Sequence, residues 1–132
     1  MVKCDISKKC GSCQLLDKSY KDTLIYKLKY VNECLKYEYI NYNIKDIYSS
    51  PLDVGYRNKM IVSFIYQNGT IQDGFYEENS HKITPMAKCI MHSDSQNKIV
   101  NDFKNLMKSF HLSCYNEDKK TGFIRYLLIA FL

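Results

Sequence analysis

Three cysteines lie close together at the amino terminus. Cys4, Cys10 and Cys13 form the pattern Cys-x5-Cys-Gly-Ser-Cys. Two thiolates separated by two residues can reach one metal centre from a single tight turn, and Gly11 gives that turn backbone freedom. A fourth ligand, for which Cys89 is the candidate, would complete the four-thiolate set that structural zinc and iron–sulfur clusters both use. The spacing predicts a metal site but leaves the metal open, and the long separation of Cys89 from the triplet predicts nothing by itself.

The composition favours metal ligands over disulfides. The 132 residues are 45% hydrophobic, which is ordinary for one domain with its own core. The sequence has no signal peptide and no apolar run long enough to span a bilayer, so we expect a cytoplasmic protein that does not contact a membrane. Thiols stay reduced in that compartment, where clustered cysteines more often bind metals or catalyse reactions. Cys34 and Cys114 lack ligand spacing, and Cys34 is expected to be a small core or boundary residue.

Aromatic and cationic side chains occur together in the middle of the chain. Aromatic rings can stack on unpaired bases while Arg, Lys and His hold phosphate, which is how single-stranded RNA is usually bound. Alternation along strands would bury about half of these aromatics whatever the function, and a net charge of +5 is weak evidence for a nucleic-acid partner. The candidate RNA-binding residues here are Tyr56, Arg57, Lys59, Phe75 and His81.

Only two arginines occur in this lysine-rich chain, Arg57 and Arg125. The planar guanidinium binds phosphate through two parallel hydrogen bonds, which an ammonium group cannot do. Arg125 therefore joins the candidate RNA-binding residues.

Hydrophobic periodicity predicts two helices and an antiparallel sheet. Apolar residues at helical spacing predict a first helix from about Ser19 to Tyr39. Strand-like segments on either side of Asn68-Gly69 predict a hairpin. A short strand over 82–85 follows, then a helix beginning at Ser93 or Asp94, and a last buried strand over 123–132. The apolar face of the second helix consists of Ile99, Val100, Phe103, Leu106, Met107 and Phe110.

These elements predict an α+β fold in a single domain over 1–132. A mainly antiparallel sheet, a meander plus a late strand, is expected to pack against the two amphipathic helices. Residues 1–16 would form a cysteine-rich cluster loop, and residues 17–132 a central α+β region that contacts RNA. The apolar end of the chain, over 129–132, suggests a fragment of a longer protein.

An independent enzyme is the less supported alternative. A cysteine paired with His81 or His92 could act as a nucleophile, but no acidic residue stands in a recognisable orienting position. The five glycines do not approach the close spacing of a phosphate-binding loop. The residues alone favour a binding module with a metal site.

The order of these motifs resembles one enzyme family. The chain is similar to the amino-terminal and central part of the iron–sulfur-containing, S-adenosylmethionine-dependent RNA uracil-5-methyltransferases that act on ribosomal RNA. The resemblance covers essentially the whole chain, although Ser12 replaces a usual glycine and Leu16-Asp17 replaces a common Gln-His pair. The matching segments are Cys4, Cys10-Gly11, Cys13, Pro51, Tyr56-Arg57-Asn58-Lys59, Gly74-Phe75-Tyr76, Ser80-His81, Cys89 and Gly122-Phe123-Ile124-Arg125-Tyr126-Leu127-Leu128.

The resemblance implies a function that the spacing leaves open. It implies that Cys89 is the fourth ligand of a [4Fe–4S] cluster, with ribosomal RNA as partner. It also implies that the catalytic cysteine, the base and the S-adenosylmethionine site belong to a carboxyl-terminal methyltransferase domain absent from this chain, which would be inactive alone. We expect the chain to be a monomer. The alternative is a structural zinc module that mediates protein contacts and has no part in RNA methylation.

Overall fold

The computed structural model describes residues 3–131, which form two compact units. The first unit comprises Lys3 and Gln14–Asp53, and the second comprises Cys4–Cys13 and residues 54–131. The predicted last strand therefore ends, at Leu132, outside the described residues. Over the part of the chain that the structure describes, no helix is both long and apolar enough to cross a membrane.

The first unit is built around one helix. Helix α1 spans Tyr20–Tyr37, and its N-cap Ser19 accepts a hydrogen bond from the backbone N–H of Asp22. This confirms the predicted helix from about Ser19 to Tyr39. The helix begins at Ser19 because the cap side chain satisfies a backbone donor that has no partner within the helix. The Asn32 side-chain amide binds the backbone of Ile44, in the segment that follows the helix. It donates to the Ile44 carbonyl at 2.9 Å and accepts from the Ile44 N–H at 2.8 Å.

The second unit contains the sheet. Its strands are β1 (Lys59–Gln67), β2 (Thr70–Tyr76), β3 (Ile83–Pro85) and β4 (Tyr126–Ala130), and all neighbouring pairs are antiparallel in the order β3-β2-β1-β4. Helix α2 spans Asp94–Ser109 and packs on β2. The two helices and the four-stranded antiparallel sheet found within residues 3–131 confirm the predicted α+β class.

The hairpin between β1 and β2 turns at the predicted residues. Asn68 and Gly69 both have positive φ, 52° and 76°, and Gln67 pairs with Thr70. A two-residue turn with both central residues in the left-handed region matches the twist of the strands it joins. The turn therefore sets the register of β2 against β1, and with it the position of the Gly74-Phe75-Tyr76 segment.

The core of the second unit lies between β1 and α2. Met60, Val62 and Phe64 alternate along β1 and are almost completely buried, as are Val100 and Met107 on the helix. Burying a side chain of this size contributes about 1.5–3 kcal/mol relative to leaving it exposed. The buried face of β1 thus contacts α2, where the Phe64 and Phe103 ring centroids lie 5.6 Å apart.

Three sequence predictions about burial are wrong. Ile99, Leu106 and Phe110 of the predicted apolar helix face remain exposed, because the contact with the sheet is narrower than the apolar stripe. Strand β4 is an edge strand whose residue Ile129 alone is buried, so it is not the buried strand that we predicted. Cys34 is exposed on α1 and not part of a core.

Candidate functional site

The loop that carries the cysteine triplet is fastened to the end of β2. Within the loop, the N–H of Cys10 donates to the Ile6 carbonyl at 2.9 Å, which closes a tight turn. Cys10 then pairs with Glu77 in an isolated antiparallel bridge, and the N–H of Gly11 donates to the Tyr76 carbonyl at 3.4 Å. Backbone bonds therefore place the triplet beside the Gly-Phe-Tyr strand.

Gly11 has a different role from the one that we predicted. The described glycines with positive φ are Gly55, Gly69 and Gly122, so the turn at Gly11 does not use a conformation reserved for glycine. A Cβ at Gly11 would lie 3.1 Å from both the N and the Cα of Glu78. The missing side chain therefore allows two backbone segments to approach each other closely.

Cys89 is held by helix α2. The thiol residue is buried, its N–H donates to the Asn97 Oδ1 at 2.8 Å, and its carbonyl accepts from the Asn97 Nδ2 at 3.0 Å. The helix begins at an N-cap, Ser93, whose capping box with Gln96 satisfies the first turn. The Ser-x-x-Gln pattern was visible in the sequence, but nothing local indicated that Asn97 would clamp the cysteine.

The four predicted ligands lie near one another in the second unit. Burial raises the pKa of the Cys13 thiol, the positive charge of Arg57 lowers it, and the neighbouring Cys10 and Cys4 raise it. Burial likewise raises the pKa of the Cys89 thiol, which a hydrogen bond from the Met91 backbone lowers, while Cys13 raises it, Arg57 lowers it and Cys10 raises it. Arg57 and Cys10 act on both groups, so the Cys13 and Cys89 thiols share charged neighbours.

The thiols do not converge on a single point. Within residues 3–131, no three His, Cys, Asp or Glu side chains stand in a geometry that could hold a metal ion. The donor chemistry nevertheless fits an iron–sulfur cluster or zinc, because four cysteines belong to one unit and the charge of Arg57 lowers the pKa of two of them, Cys13 and Cys89. Their assignment as metal ligands stays a prediction.

Arg57 contacts both sides of the thiol environment. Its Nη2 donates to the Ser12 carbonyl at 2.9 Å, inside the cysteine triplet. Its backbone N–H donates to the Met91 carbonyl at 3.0 Å, two residues after Cys89, and it bridges to His92. This predicted RNA-binding residue is half-buried and lies at the cysteine site.

The other predicted RNA-binding residues of this region differ in exposure. Tyr56 is 53% exposed and Lys59 is also exposed. The Phe75 ring is half-buried and stacks on the His92 ring, with 6.0 Å between the ring centroids. Tyr56 and Lys59 are thus available to a partner, whereas Phe75 already has a ring neighbour.

His81 and Arg125 meet at a carboxylate that we did not predict. The Glu117 side chain accepts from the Arg125 Nη2 at 2.9 Å, lies 3.2 Å from the His81 Nδ1, and accepts from the Tyr76 hydroxyl at 3.3 Å. The Arg125 guanidinium also lies over the Tyr115 ring, 5.3 Å from its centroid. The hydrogen bond from Arg125 is the main cause of the lowered pKa of Glu117.

Tyr76 connects the two groups of residues. Its carbonyl accepts from the cysteine loop, and its hydroxyl donates to Glu117. The two histidines considered as partners of a cysteine nucleophile have other contacts: His81 pairs with Glu117, and the His92 Nε2 lies 3.1 Å from the Lys59 carbonyl. The end of β2 therefore joins a thiol site to an aromatic and cationic surface.

The sequence is similar to proteins named as RNA methyltransferases. A protein of Clostridium acetobutylicum named uncharacterized RNA methyltransferase is 35% identical over 130 residues, which cover 96% of this chain and 28% of that protein. A protein of the same name from Clostridium tetani is 30% identical over 127 residues, with the same two coverages. The chain thus spans little more than a quarter of the length of these relatives. No protein-family model matches it.

The fold is similar to that of a solved methyltransferase. The tRNA (uracil-54, C5)-methyltransferase of Pyrococcus abyssi, solved with S-adenosyl-L-homocysteine, superimposes with a TM-score of 0.70 over 90% of this chain and 28% of that protein. The two sequences are 21% identical over this match. Together with the bacterial relatives, this likeness confirms the predicted resemblance to part of an RNA methyltransferase.

Proposed function

Because almost the whole chain is similar to part of proteins named RNA methyltransferases, we propose that it is the metal-bearing, RNA-contacting portion of an S-adenosylmethionine-dependent uracil-C5 methyltransferase. The name of the structural neighbour and its bound S-adenosyl-L-homocysteine support the reaction and the cofactor of the parent enzyme. The proposed parent acts in the cytoplasm, where its RNA substrate and reduced thiols are both found.

The gathering of four cysteines in one unit carries the proposal for the metal site. Cys4, Cys10, Cys13 and Cys89 would hold a [4Fe–4S] cluster, whose chemistry is that of a rigid, thiolate-bound and redox-active centre. The fold of the chain would bring the amino-terminal loop, which carries the triplet, near the loop before α2, which carries Cys89. The cluster would then fix the end of β2 and the surface beside it.

Metal analysis tests the cluster directly. Protein purified without oxygen should contain about four irons and four sulfides per chain, with the broad visible absorption of a cluster bound by four cysteines. Cys89→Ser should lose most of the iron, whereas the matched control Cys34→Ser, at an exposed cysteine of the other unit, should keep it. Tightly bound zinc without iron would contradict the cluster and favour the zinc-module alternative.

The surface beside the cysteine site is the proposed RNA contact. Tyr56 and Lys59 are exposed, Arg125 lies over the Tyr115 ring, and the exposed His81 pairs with Glu117. Phosphate contacts of this kind make the affinity fall steeply as salt rises. Phe75 and Arg57 complete the proposed set, although both side chains already have contacts within the protein.

Binding measurements test this surface. Lys59→Ala and Arg125→Ala should each weaken binding to a ribosomal RNA stem-loop and reduce the slope of affinity against salt by about one counterion. Lys98→Ala is the control, because Lys98 is an exposed lysine on α2 that does not belong to the proposed RNA-binding set. Unchanged affinity in both surface variants would rule out this RNA contact. Preference for a tRNA over ribosomal RNA would instead assign the substrate named for the structural neighbour.

The remainder of the parent would supply the chemistry. The proposed catalytic cysteine, the base for the C5 proton and the S-adenosylmethionine site would belong to the part of the parent outside this chain, which covers 28% of each of the two relatives. The chain alone, proposed to be a monomer, should transfer no methyl group from S-adenosylmethionine to RNA. Methyl transfer by the isolated chain would contradict the proposal that the catalytic residues lie outside it, and would favour an independent enzyme.

A further inference from the structure

An open cleft of about 630 Å³ lies at the end of the sheet where β1 turns into β2. It is lined by Tyr66 and residues 69–71 of the hairpin, and by the last turn of α2 with the segment 111–114 that follows it. All of these residues belong to the second unit. A volume of this size is typical of sites that hold a small molecule.

The cleft leaves an aromatic ring of the sheet uncovered. Tyr66 lies on the same face of β1 as the buried residues Val62 and Phe64, because side chains alternate along a strand. It pairs with Ile71 of β2, which also lines the cleft, and it is 67% exposed. The apolar face of the sheet therefore continues past the buried core as a surface on which a flat ring can lie.

The charged side chains of the cleft are cationic. Lys108 and His111 line it, and none of the ten described residues that line it is acidic. Neither of the two forms an ion pair with a carboxylate in the described part of the chain. The other two lysines of α2, Lys98 and Lys104, are each paired with an aspartate. The cleft therefore has donors for an anion, since ammonium and imidazole N–H groups both donate to phosphate.

The turn that ends α2 holds His111 beside the cleft. The Leu112 N–H donates to the Met107 carbonyl at 2.8 Å, and the His111 N–H donates to the Lys108 carbonyl at 3.2 Å. These bonds satisfy the last carbonyls of the helix, and they place His111 at φ 52°, in the left-handed region that glycine usually occupies at this position. The fold thus presents an imidazole from a fixed backbone conformation.

We propose that this cleft binds a nucleotide, with its base stacked on the Tyr66 ring and its phosphate held by Lys108 and His111. Every base has a flat face that stacks on an aromatic ring, whatever its sequence. The site is separate from the surface at Tyr56 and Lys59, because Tyr66 lies seven residues after Lys59 on β1, about 23 Å along an extended strand. The nucleotide is either free or part of an RNA strand, and in the second case the inference rests on the proposed function.

Titration of the isotope-labelled full chain with uridine monophosphate tests the site. The NMR amide signals of Gly69, Thr70 and Leu112 should shift, and their dependence on concentration gives the Kd. Uridine, which lacks the phosphate, and inorganic phosphate, which lacks the base, should each bind more weakly. Equal Kd values for uridine and its monophosphate would overturn the phosphate contact, and equal values for phosphate and the monophosphate would overturn the stacking. No shift at the cleft would overturn the whole inference.

Variants of the full chain separate the ring from the charge. Tyr66→Ala should weaken uridine monophosphate about 5- to 150-fold, the usual effect of losing one base–aromatic stack, whereas Tyr66→Phe keeps the ring and should keep the affinity. Lys108→Ala should reduce the preference for the monophosphate over uridine. Lys98→Ala, on the same helix but outside the cleft, is its matched control and should leave that preference unchanged.

Wild-type affinity in both Tyr66→Ala and Lys108→Ala would overturn the inference. If Tyr66→Ala does not fold, as judged by circular dichroism, Tyr66→Leu replaces it, because leucine keeps apolar bulk without an aromatic ring. The same loss of affinity is then required relative to Tyr66→Phe, and equal affinities of the leucine and phenylalanine variants would overturn the stacking.

A five-nucleotide uridine RNA separates the two sources of the nucleotide. Tighter binding of the strand than of the monophosphate, weakened in Tyr66→Ala, would assign the site to RNA, whereas equal affinities would assign it to a free nucleotide. Both results support the site. If the ribosomal RNA stem-loop does not bind the wild type, the proposed RNA contact fails, and the monophosphate titration still decides the cleft. If the stem-loop binds and the monophosphate shifts no signal at the cleft, this inference fails and the proposed RNA contact stands.

Discussion

The Asn97 side-chain amide brackets the backbone of Cys89. Its Oδ1 accepts from the Cys89 N–H at 2.8 Å and its Nδ2 donates to the Cys89 carbonyl at 3.0 Å. The same Nδ2 lies within hydrogen-bond distance of the His92 and Ser93 carbonyls. One side chain of α2 therefore fixes the course of the segment that presents the fourth cysteine.

Replacing Asn97 by alanine should destabilise the protein and weaken the metal site. Asn97→Ala leaves the buried Cys89 backbone without its partners, which costs about 1–3 kcal/mol of the free energy of unfolding. Urea denaturation measures this loss, and the metal content of the purified variant should fall as well. Asn101→Ala, at an exposed position one turn along the same helix, is the matched control. Equal stability and metal content in the two variants would contradict the clamp.

Gly74 allows β2 and β3 to lie close together. A Cβ at this position would lie 2.2 Å from the Thr84 carbonyl oxygen and 2.8 Å from its carbon. Both neighbours are backbone atoms of the paired strand and cannot turn away. Gly74→Ala should therefore lower the free energy of unfolding by about 1–3 kcal/mol, the usual cost of overpacking.

The same denaturation experiment checks this prediction. Gln72→Ala, two residues earlier on the strand, is the control because it changes the side chain without adding a Cβ. A Gly74→Ala variant as stable as the wild type would show that the glycine of the Gly-Phe-Tyr segment is not required by this packing.

The sequence predicted local features well because their causes are local. The Asn68-Gly69 turn and the Ser93 cap each depend on residues within one turn, and both are confirmed. The bonds of Arg57 to Ser12 and of Asn97 to Cys89 join residues that periodicity does not relate. Such contacts follow from the tertiary fold, so no sequence pattern indicated them.

Burial was harder to predict than secondary structure. The apolar residues of β4 predicted a buried strand, but a strand at the edge of a sheet has only one neighbour, and Ile129 alone is buried. Likewise His81 and Arg125 were predicted to bind RNA, and the sequence did not indicate that both pair with Glu117. Glu117 lies in a polar turn whose sequence indicated only exposure.

Lys104 and Asp73 form an ion pair between α2 and β2. The Lys104 Nζ lies 2.5 Å from the Asp73 Oδ1, and the two side chains are 19% and 6% exposed. Lys104→Met would leave a buried carboxylate without its partner, which should cost about 3 kcal/mol of the free energy of unfolding. Lys98→Met is the matched control on the same helix, because its pair with Asp102 is exposed and should cost less than about 1 kcal/mol. Similar losses in the two variants would contradict the difference in burial.

Glu117 should make stability depend on pH. The hydrogen bond from Arg125, first among several causes, holds the pKa of Glu117 below its ordinary value of 4.5 in the folded state. The unfolded chain binds this proton more readily, so the network contributes stability above pH 4.5 that is lost as the pH falls through the lower, folded pKa. Glu117→Gln removes the titrating group and the charge that Arg125 and His81 share.

Thermal melts across the acidic range test this expectation. Glu117→Gln should melt a few degrees below the wild type near neutral pH, and the difference should shrink to nothing in acid, where the wild-type carboxyl is also neutral. Asp118→Asn, at the exposed neighbouring position, is the control for a general change of charge in this turn. A difference that persists unchanged in acid would assign the effect to packing and not to the ionised network. Equal melting at neutral pH would mean that the pairing with Arg125 and His81 does not stabilise the fold.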